Sequence, residues 1–170
     1  MLIDKKDKYL VIGAGPSGLS AARNLQKYNI PFDGVEAYAD VGGLWNIQNP
    51  RSTMYDSAHL ISSKKMTEFK EFPMKETVAD YPHHTEMCAY FKDYAAHFDL
   101  YAHYTFNTRV ELIRRPEANK TDGWHVTLSD GKTYHYRGVV IANGTLSEPN
   151  LPKFKGEFAG RIMHSAEYKS

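Results

Sequence analysis

Residues Val11-Ile12-Gly13-Ala14-Gly15-Pro16-Ser17-Gly18-Leu19 constrain this chain more than any other stretch. Lys8 to Ile12 reads as a short buried strand and Pro16 to Tyr28 as a helix, so three glycines in G-x-G-x-x-G spacing fall at a strand-to-helix junction. Gly13 lets the chain turn sharply off the strand, Gly15 leaves the backbone open to a pyrophosphate, and Gly18 lets the helix pack close to the sheet. A helix start offers unpaired N–H groups and the positive end of its dipole to phosphates. A second strand, Pro31 to Glu36, places a carboxylate about 20 residues after the glycines. Such a carboxylate accepts hydrogen bonds from an adenosine ribose and repels a 2′-phosphate. Glycine spacing alone is a weak sign. The order of strand, glycines, helix, strand and acid is the strong one.

Beyond this βαβ unit, Asp40-Val41-Gly42-Gly43-Leu44-Trp45 forms a second glycine turn ending in a large aromatic. Residues Asn46 to Pro82 read as a long, irregular, polar segment with short helical pieces at most. Its apolar residues Met54, Tyr55, Leu60, Ile61, Met66, Phe69 and Phe72 are expected to anchor it in an ordered, functional form. His84 to Phe98 carries Met87, Tyr90, Phe91, Tyr94, Ala95 and Phe98 at helical spacing, a core stripe rather than a ligand box. Thr105 to Arg114 alternates as a strand, and Trp124 to Ser129 with Lys132 to Tyr136 reads as a hairpin around Asp130-Gly131. Val139-Val140-Ile141-Ala142 reads as a central parallel strand covered on both faces, ending at Asn143-Gly144. An α/β fold follows: a Rossmann-like parallel sheet carrying a small antiparallel β-meander, which is the plan of the FAD domain in flavoproteins with two dinucleotide-binding domains.

At 170 residues the chain has the length of about one domain and can bury roughly 70% of its unfolded surface. Lys and Arg total 21 against 20 Asp and Glu, so no basic excess points to nucleic acid. Phosphate recognition would rest on backbone and helix dipole. Cys88 is the only cysteine, which excludes an internal disulfide, a zinc cluster and a CxxC pair, and it is expected to pack within the long helix. The segment Met1 to Asp7 lacks the apolar run of a signal peptide, and no apolar stretch is long enough to span a bilayer. The expectation is a cytoplasmic chain without nucleic-acid or membrane partners.

Several motifs agree on one family. Gly13-Ala14-Gly15-Pro16-Ser17-Gly18, Glu36, Gly42-Gly43-Leu44-Trp45, Ser62-Ser63-Lys64, Glu71-Phe72-Pro73-Met74, Ala142-Asn143-Gly144 and Phe158-Ala159-Gly160-Arg161-Ile162-Met163-His164-Ser165-Ala166-Glu167-Tyr168 occur in order. Together they resemble the flavin-containing monooxygenases, relatives of the Baeyer–Villiger monooxygenases. The last stretch fits F-x-G-x-x-x-H-x-x-x-Y, which is more specific than the glycine loop. The resemblance implies FAD at this domain and NADPH at a second glycine-rich domain that would follow Ser170. It also implies O₂ and a small soft nucleophile, an amine or sulfide, as reactants through a flavin hydroperoxide. On that reading residues 1–170 are the N-terminal FAD-binding portion and are inactive alone, with a second chain as a further way to supply the NADPH domain. The alternatives are a Baeyer–Villiger type fragment, against which Tyr168 in place of tryptophan leans, and a non-catalytic nucleotide-binding module.

The cofactor-binding residues so implied are Gly13, Ala14, Gly15, Pro16, Ser17, Gly18, Glu36, Ala37, Gly43, Leu44, Trp45, Ser62, Val110, Ala142 and Gly144. No metal ligands and no acid–base catalyst are assigned, because the cofactor carries the chemistry. Family members commonly hold an asparagine before the Ser/Thr-Ser-Lys stretch, where this chain has Ile61, which offers no side-chain hydrogen bond. Trp45 is expected beside the flavin, Lys64-Lys65 as a solvated loop pair, and His83-His84 lacks a third ligand at metal spacing. His164 reads equally as a cofactor or hinge residue and as a side chain satisfied by backbone.

Overall fold

The computed structural model describes residues 2–117 and 122–170. Its first unit is β1 (Leu2–Ile12), α1 (Pro16–Lys27) and β2 (Phe32–Val35). A long irregular segment with one short helix, α2 (Lys64–Thr67), leads to α3 (His84–His97). The short edge strand β3 (Tyr104–Thr105), the meander strand β4 (Val110–Arg114), β5 (Trp124–Leu128) and β6 (Thr133–Ile141) follow.

These strands form one mixed sheet in the order β3-β2-β1-β6-β5-β4. β3, β2, β1 and β6 run parallel, while β4 and β5 complete an antiparallel meander on β6. Alternation along β1 fixes its faces, since successive side chains point to opposite sides. Val11 packs with α1 and α3 in a cluster holding Leu19, Ala22, Met87, Phe91, Tyr94 and Leu100. Leu10 packs on the other face with Val35, Val126, Leu128 and Tyr136. Among the described residues no helix is long and apolar enough to cross a membrane.

The structure departs from the sequence reading in several places. Thr105 to Arg114 is not one strand: β3 pairs with β2 at one edge of the sheet and β4 with β5 at the other. The chain crosses over at residues 106–109, where Asn107 takes a positive φ of 51° and Thr108 N–H bonds the Glu36 carbonyl. Second, the hairpin strand and the supposed separate apolar strand are a single nine-residue β6. Its end is not covered on both faces, for Ile141 is 62% exposed and lines a cleft. Third, Ile61 and Met66 anchor nothing, at 97% and 83% exposure. Of the expected anchors Leu60, Phe69 and Phe72 do hold the segment, joined by Met74. Tyr90 Oη accepts from Phe69 N–H at 2.7 Å and donates to the Phe72 carbonyl at 2.6 Å.

Lys64 also differs from expectation. It is buried, and its ammonium donates to the carbonyls of Glu76 at 3.2 Å and Val78 at 2.5 Å, satisfying a buried charge with backbone acceptors. Only Lys65 is solvated, lying 3.6 Å from Glu68 and Glu76.

Candidate functional site

The parallel strands all end at one edge of the sheet. β1 is the point where strand order reverses, because the chain runs outward through β2 and β3 and then returns to β1's other side as β6. Open α/β sheets bind ligands in the crevice at such a point. A cleft of about 690 Å³ lies there, lined by the ends of β1, β2 and β6, the start of α1 and the second glycine turn.

Its floor is the glycine turn. Gly13 has φ of 101°, and a Cβ there would lie 2.5 Å from the Ala142 carbonyl oxygen, so the turn and the β6 end touch through backbone alone. Gly13 N–H bonds the Val35 carbonyl at 2.8 Å and Ala142 N–H the Ile12 carbonyl at 2.9 Å, tying the three strand ends together. Gly18 packs on Gly13 so closely that a Cβ would overlap the Gly13 carbonyl. Gly15 is different. Its φ is −74° and ψ −177°, ordinary extended values, and a Cβ would come no nearer than 3.6 Å to Gly43 Cα. The chain's own packing does not require glycine there, yet the position borders the cleft.

Gly15 is the N-cap of α1, Pro16 stands in its first turn, and no side chain caps it. Its first free N–H groups border the cleft at Ser17. Glu36 directly follows β2 and is 6% exposed. Its carboxylate accepts from Ala14 N–H at 2.7 Å and Tyr38 N–H at 3.0 Å, which leaves further lone pairs on both oxygens. Tyr104 Oη donates to the Gly13 carbonyl at 3.2 Å, and burial, then the nearby Glu36 charge, pushes its phenol well above the ordinary range.

Of the residues singled out by sequence, the cleft brings together Gly13, Gly15, Pro16, Ser17, Glu36, Ala37, Gly43, Leu44, Val110, Ala142 and Gly144. Four stand off it. Ala14 is fully buried behind the turn, where it reaches Glu36, and Gly18 is taken up by helix packing. Trp45 packs against the α1–α3 core rather than bordering the cleft. Ser62 is exposed, its hydroxyl 2.7 Å from that of Thr67. His164 caps a short turn, its Nδ1 accepting from Ala166 N–H at 3.1 Å, so backbone satisfies it.

Sequence reasoning missed Asn49, Arg51, Thr108, Arg109 and the run Thr145 to Ser147, all of which border the cleft. None sits in a glycine motif, and only the returning β6 end, read at Asn143-Gly144, hinted at the last group. Among the described residues no three His, Cys, Asp or Glu side chains gather to hold a metal. Cys88 is half-buried in α3, and burial raises its thiol.

A strand–glycine turn–helix unit with an acidic second strand end, in a parallel sheet extended by an antiparallel meander, defines a dinucleotide-binding fold of the flavoprotein type. The chain belongs to the flavin-binding monooxygenase-like family, whose sequence profile matches residues 6–170. It is 34% identical over 174 residues to dimethylaniline monooxygenase (N-oxide-forming) 2 of Mus musculus, covering 95% of this chain and 32% of that protein. A flavin-containing monooxygenase from Stenotrophomonas maltophilia superposes with a TM-score of 0.81 at 29% identity, over 96% of this chain and 47% of the other. OTEMO, solved with FAD and NADP, superposes at 0.76 and 29% identity, over 96% of this chain and 31% of the other. The chain thus spans about a third of the length of the curated relatives it matches.

Proposed function

We propose that this chain is the FAD-binding portion of an NADPH-dependent monooxygenase that oxygenates soft nucleophiles at nitrogen or sulfur. The observation that carries this reading is Gly15, which its own chain does not need as glycine and which faces the cleft beside an uncapped helix start. That combination suits the close approach of a diphosphate. FAD, when bound, supplies the redox and oxygen chemistry.

The residues of the chain do the remaining work. Gly15 would keep a side chain out of the diphosphate's path, Gly13 lets the turn meet the β6 end, and Ser17 N–H with the α1 dipole would favour the anion. The unused lone pairs of Glu36 receive ribose hydroxyls, and a 2′-phosphate would be repelled by that carboxylate. Val110, Ala37, Gly43, Leu44, Ala142 and Gly144 line the same cleft and would hold the rest of the cofactor. Ala14 and Gly18 act from behind by holding the turn. The nicotinamide site, the substrate pocket and O₂ access belong to polypeptide beyond these residues or to a second chain. Support for that assignment comes from relatives about three times as long as the matched segment.

The test is a visible absorption spectrum after the purified chain is mixed with excess FAD and desalted. Retained flavin bands are expected. A folded but colourless protein that also shows no FAD binding in solution would overturn the reading.

A further inference from the structure

Two irregular segments complete the lining of the cleft: Asn49 and Arg51 in one, Asn143 to Ser147 in the other. Among the described residues a single ion pair joins them at the cleft, the Arg51 guanidinium lying 2.7 Å from the Glu148 carboxylate. Both side chains are open to water, at 45% and 76% exposure. The same two segments meet again farther along. There Asp56 N–H bonds the Lys169 carbonyl at 2.7 Å, and the Lys169 ammonium donates to the carbonyls of Ser52 and Met54 at 2.6 and 3.2 Å. The rings of Tyr55 and Tyr168 lie 5.6 Å apart. The stretch between these clasps has no strand and only one three-residue helical turn, and it exposes Leu151, Phe154, Phe158 and Ile162. The far clasp is several contacts strong, and the near clasp is one exposed pair.

Arg51 therefore borders the cleft with its charge already matched by a carboxylate that is not itself part of the lining. We propose that Glu148 is a stand-in anion, which holds Arg51 at the cleft until the diphosphate of a bound dinucleotide takes the guanidinium in its place. This rests on the reading of the cleft as an FAD site. The exchange is favourable in direction for three physical reasons. An exposed carboxylate pair contributes little. A guanidinium presents a planar fork that matches two phosphate oxygens at once. A diphosphate brings more negative charge to the guanidinium than one carboxylate does. Because the pair is also the near clasp, ligand entry releases residues 143–148 from the 49–51 loop.

The test is a double-mutant cycle on FAD affinity, measured by titration with Glu148→Gln, Arg51→Gln and the double variant, each checked for folding by circular dichroism. Glu148→Gln removes the competitor and should bind FAD about two- to five-fold more tightly than wild type. Arg51→Gln should bind at least about tenfold more weakly, the scale of a lost hydrogen bond between charged groups. In the Arg51→Gln background, Glu148→Gln should then change nothing. Equal tightening in both backgrounds would mean simple repulsion through space and would overturn the exchange, as would an unaltered affinity in Arg51→Gln. A wild type that binds FAD with a flat cycle refutes the exchange alone. A folded wild type that binds no FAD, with variants that bind none, refutes the FAD site and the exchange with it.

Discussion

Substitution of Gly15 by alanine separates what the chain needs for itself from what a ligand needs. A Cβ at this position meets only Gly43, at 3.6 Å from Cα and 4.0 Å from N, which is ordinary contact, and the backbone angles suit any residue. Two small effects then oppose each other. Alanine restricts the unfolded chain and stabilises by about 0.4–1 kcal/mol. It is a poorer helix cap than glycine and costs up to about 1 kcal/mol. The net change lies within about 1 kcal/mol, or a shift in melting temperature of no more than about 4 °C for a domain of this size. Binding is another matter. The new methyl occupies the wall where the diphosphate must approach, and overpacking of about 1–3 kcal/mol raises the Kd for FAD about 5- to 150-fold. Gly18→Ala is the control within the same motif. Its Cβ would overlap the Gly13 carbonyl, a backbone group that cannot swing aside, so the melting temperature should fall by several degrees. Thermal melts and FAD titrations of the two variants check this. A Gly15→Ala protein that melts as low as Gly18→Ala, or that binds FAD as wild type does, refutes the argument.

Other expectations follow from single side chains. Glu36→Gln replaces one of two acceptor oxygens with a donor and strands the N–H of Ala14 or Tyr38, so chemical denaturation should show a loss of about 1–3 kcal/mol. Lys64→Met leaves the carbonyls of Glu76 and Val78 without their donor, and a similar loss of about 1–3 kcal/mol should appear in the same assay. Tyr90→Phe removes the acceptor of Phe69 N–H, and hydrogen exchange at that amide should accelerate while the βαβ unit stays protected. His84 is 4% exposed with its Nδ1 unpartnered, and burial followed by the charge of His83 lowers its pKa. His59 acts in the same direction, and Asp56 opposes it. The folded chain thus binds this proton less readily than the unfolded chain. Its contribution is fully present above about pH 6.5 and is lost as pH falls through the lower folded value. Melting temperatures measured between about pH 7.5 and 5 should fall less steeply in His84→Asn than in wild type.

The βαβ unit was legible because each of its parts has a local cause. Apolar runs, glycine spacing and a closing acid all lie within residues 8 to 36, and the structure differs in a β1 that begins at Leu2 and in single-residue shifts at the ends of α1 and β2. The stripe of α3 was legible for the same reason, its period showing in Met87, Tyr90, Phe91, Tyr94 and Ala95. Pairing at a distance was not. Nothing local tells that Thr105 and Val110 belong to opposite edges of one sheet, because the break is a crossover with no Gly or Pro to mark it. Trp45 reads as a cofactor neighbour from its glycine turn, but the turn rotates it onto the core, a matter of three-dimensional direction. Lys64 and Arg51 were invisible because a lysine or arginine in a polar loop looks solvated whether or not carbonyls or a carboxylate await it.

β6 pairs in parallel with β1 on one side, with a register shift between Lys5 and Tyr9 and an unbroken run from Tyr9↔Gly138 to Ile12↔Ile141, and pairs antiparallel with β5 on the other. Its far end delivers Ala142 to within hydrogen-bond reach of Ile12 and against Gly13. The meander therefore works as a ruler. The tight turn at Asp130-Gly131 sets how far along β6 the chain has travelled when it arrives at the cleft. A slip of one residue in that hairpin would turn every β6 side chain to the wrong face and would present a different backbone group to the glycine turn. Lengthening the loop beyond Leu128 without disturbing register should be harmless, whereas deleting one residue inside β6 should remove the cleft while leaving α1 and α3 intact.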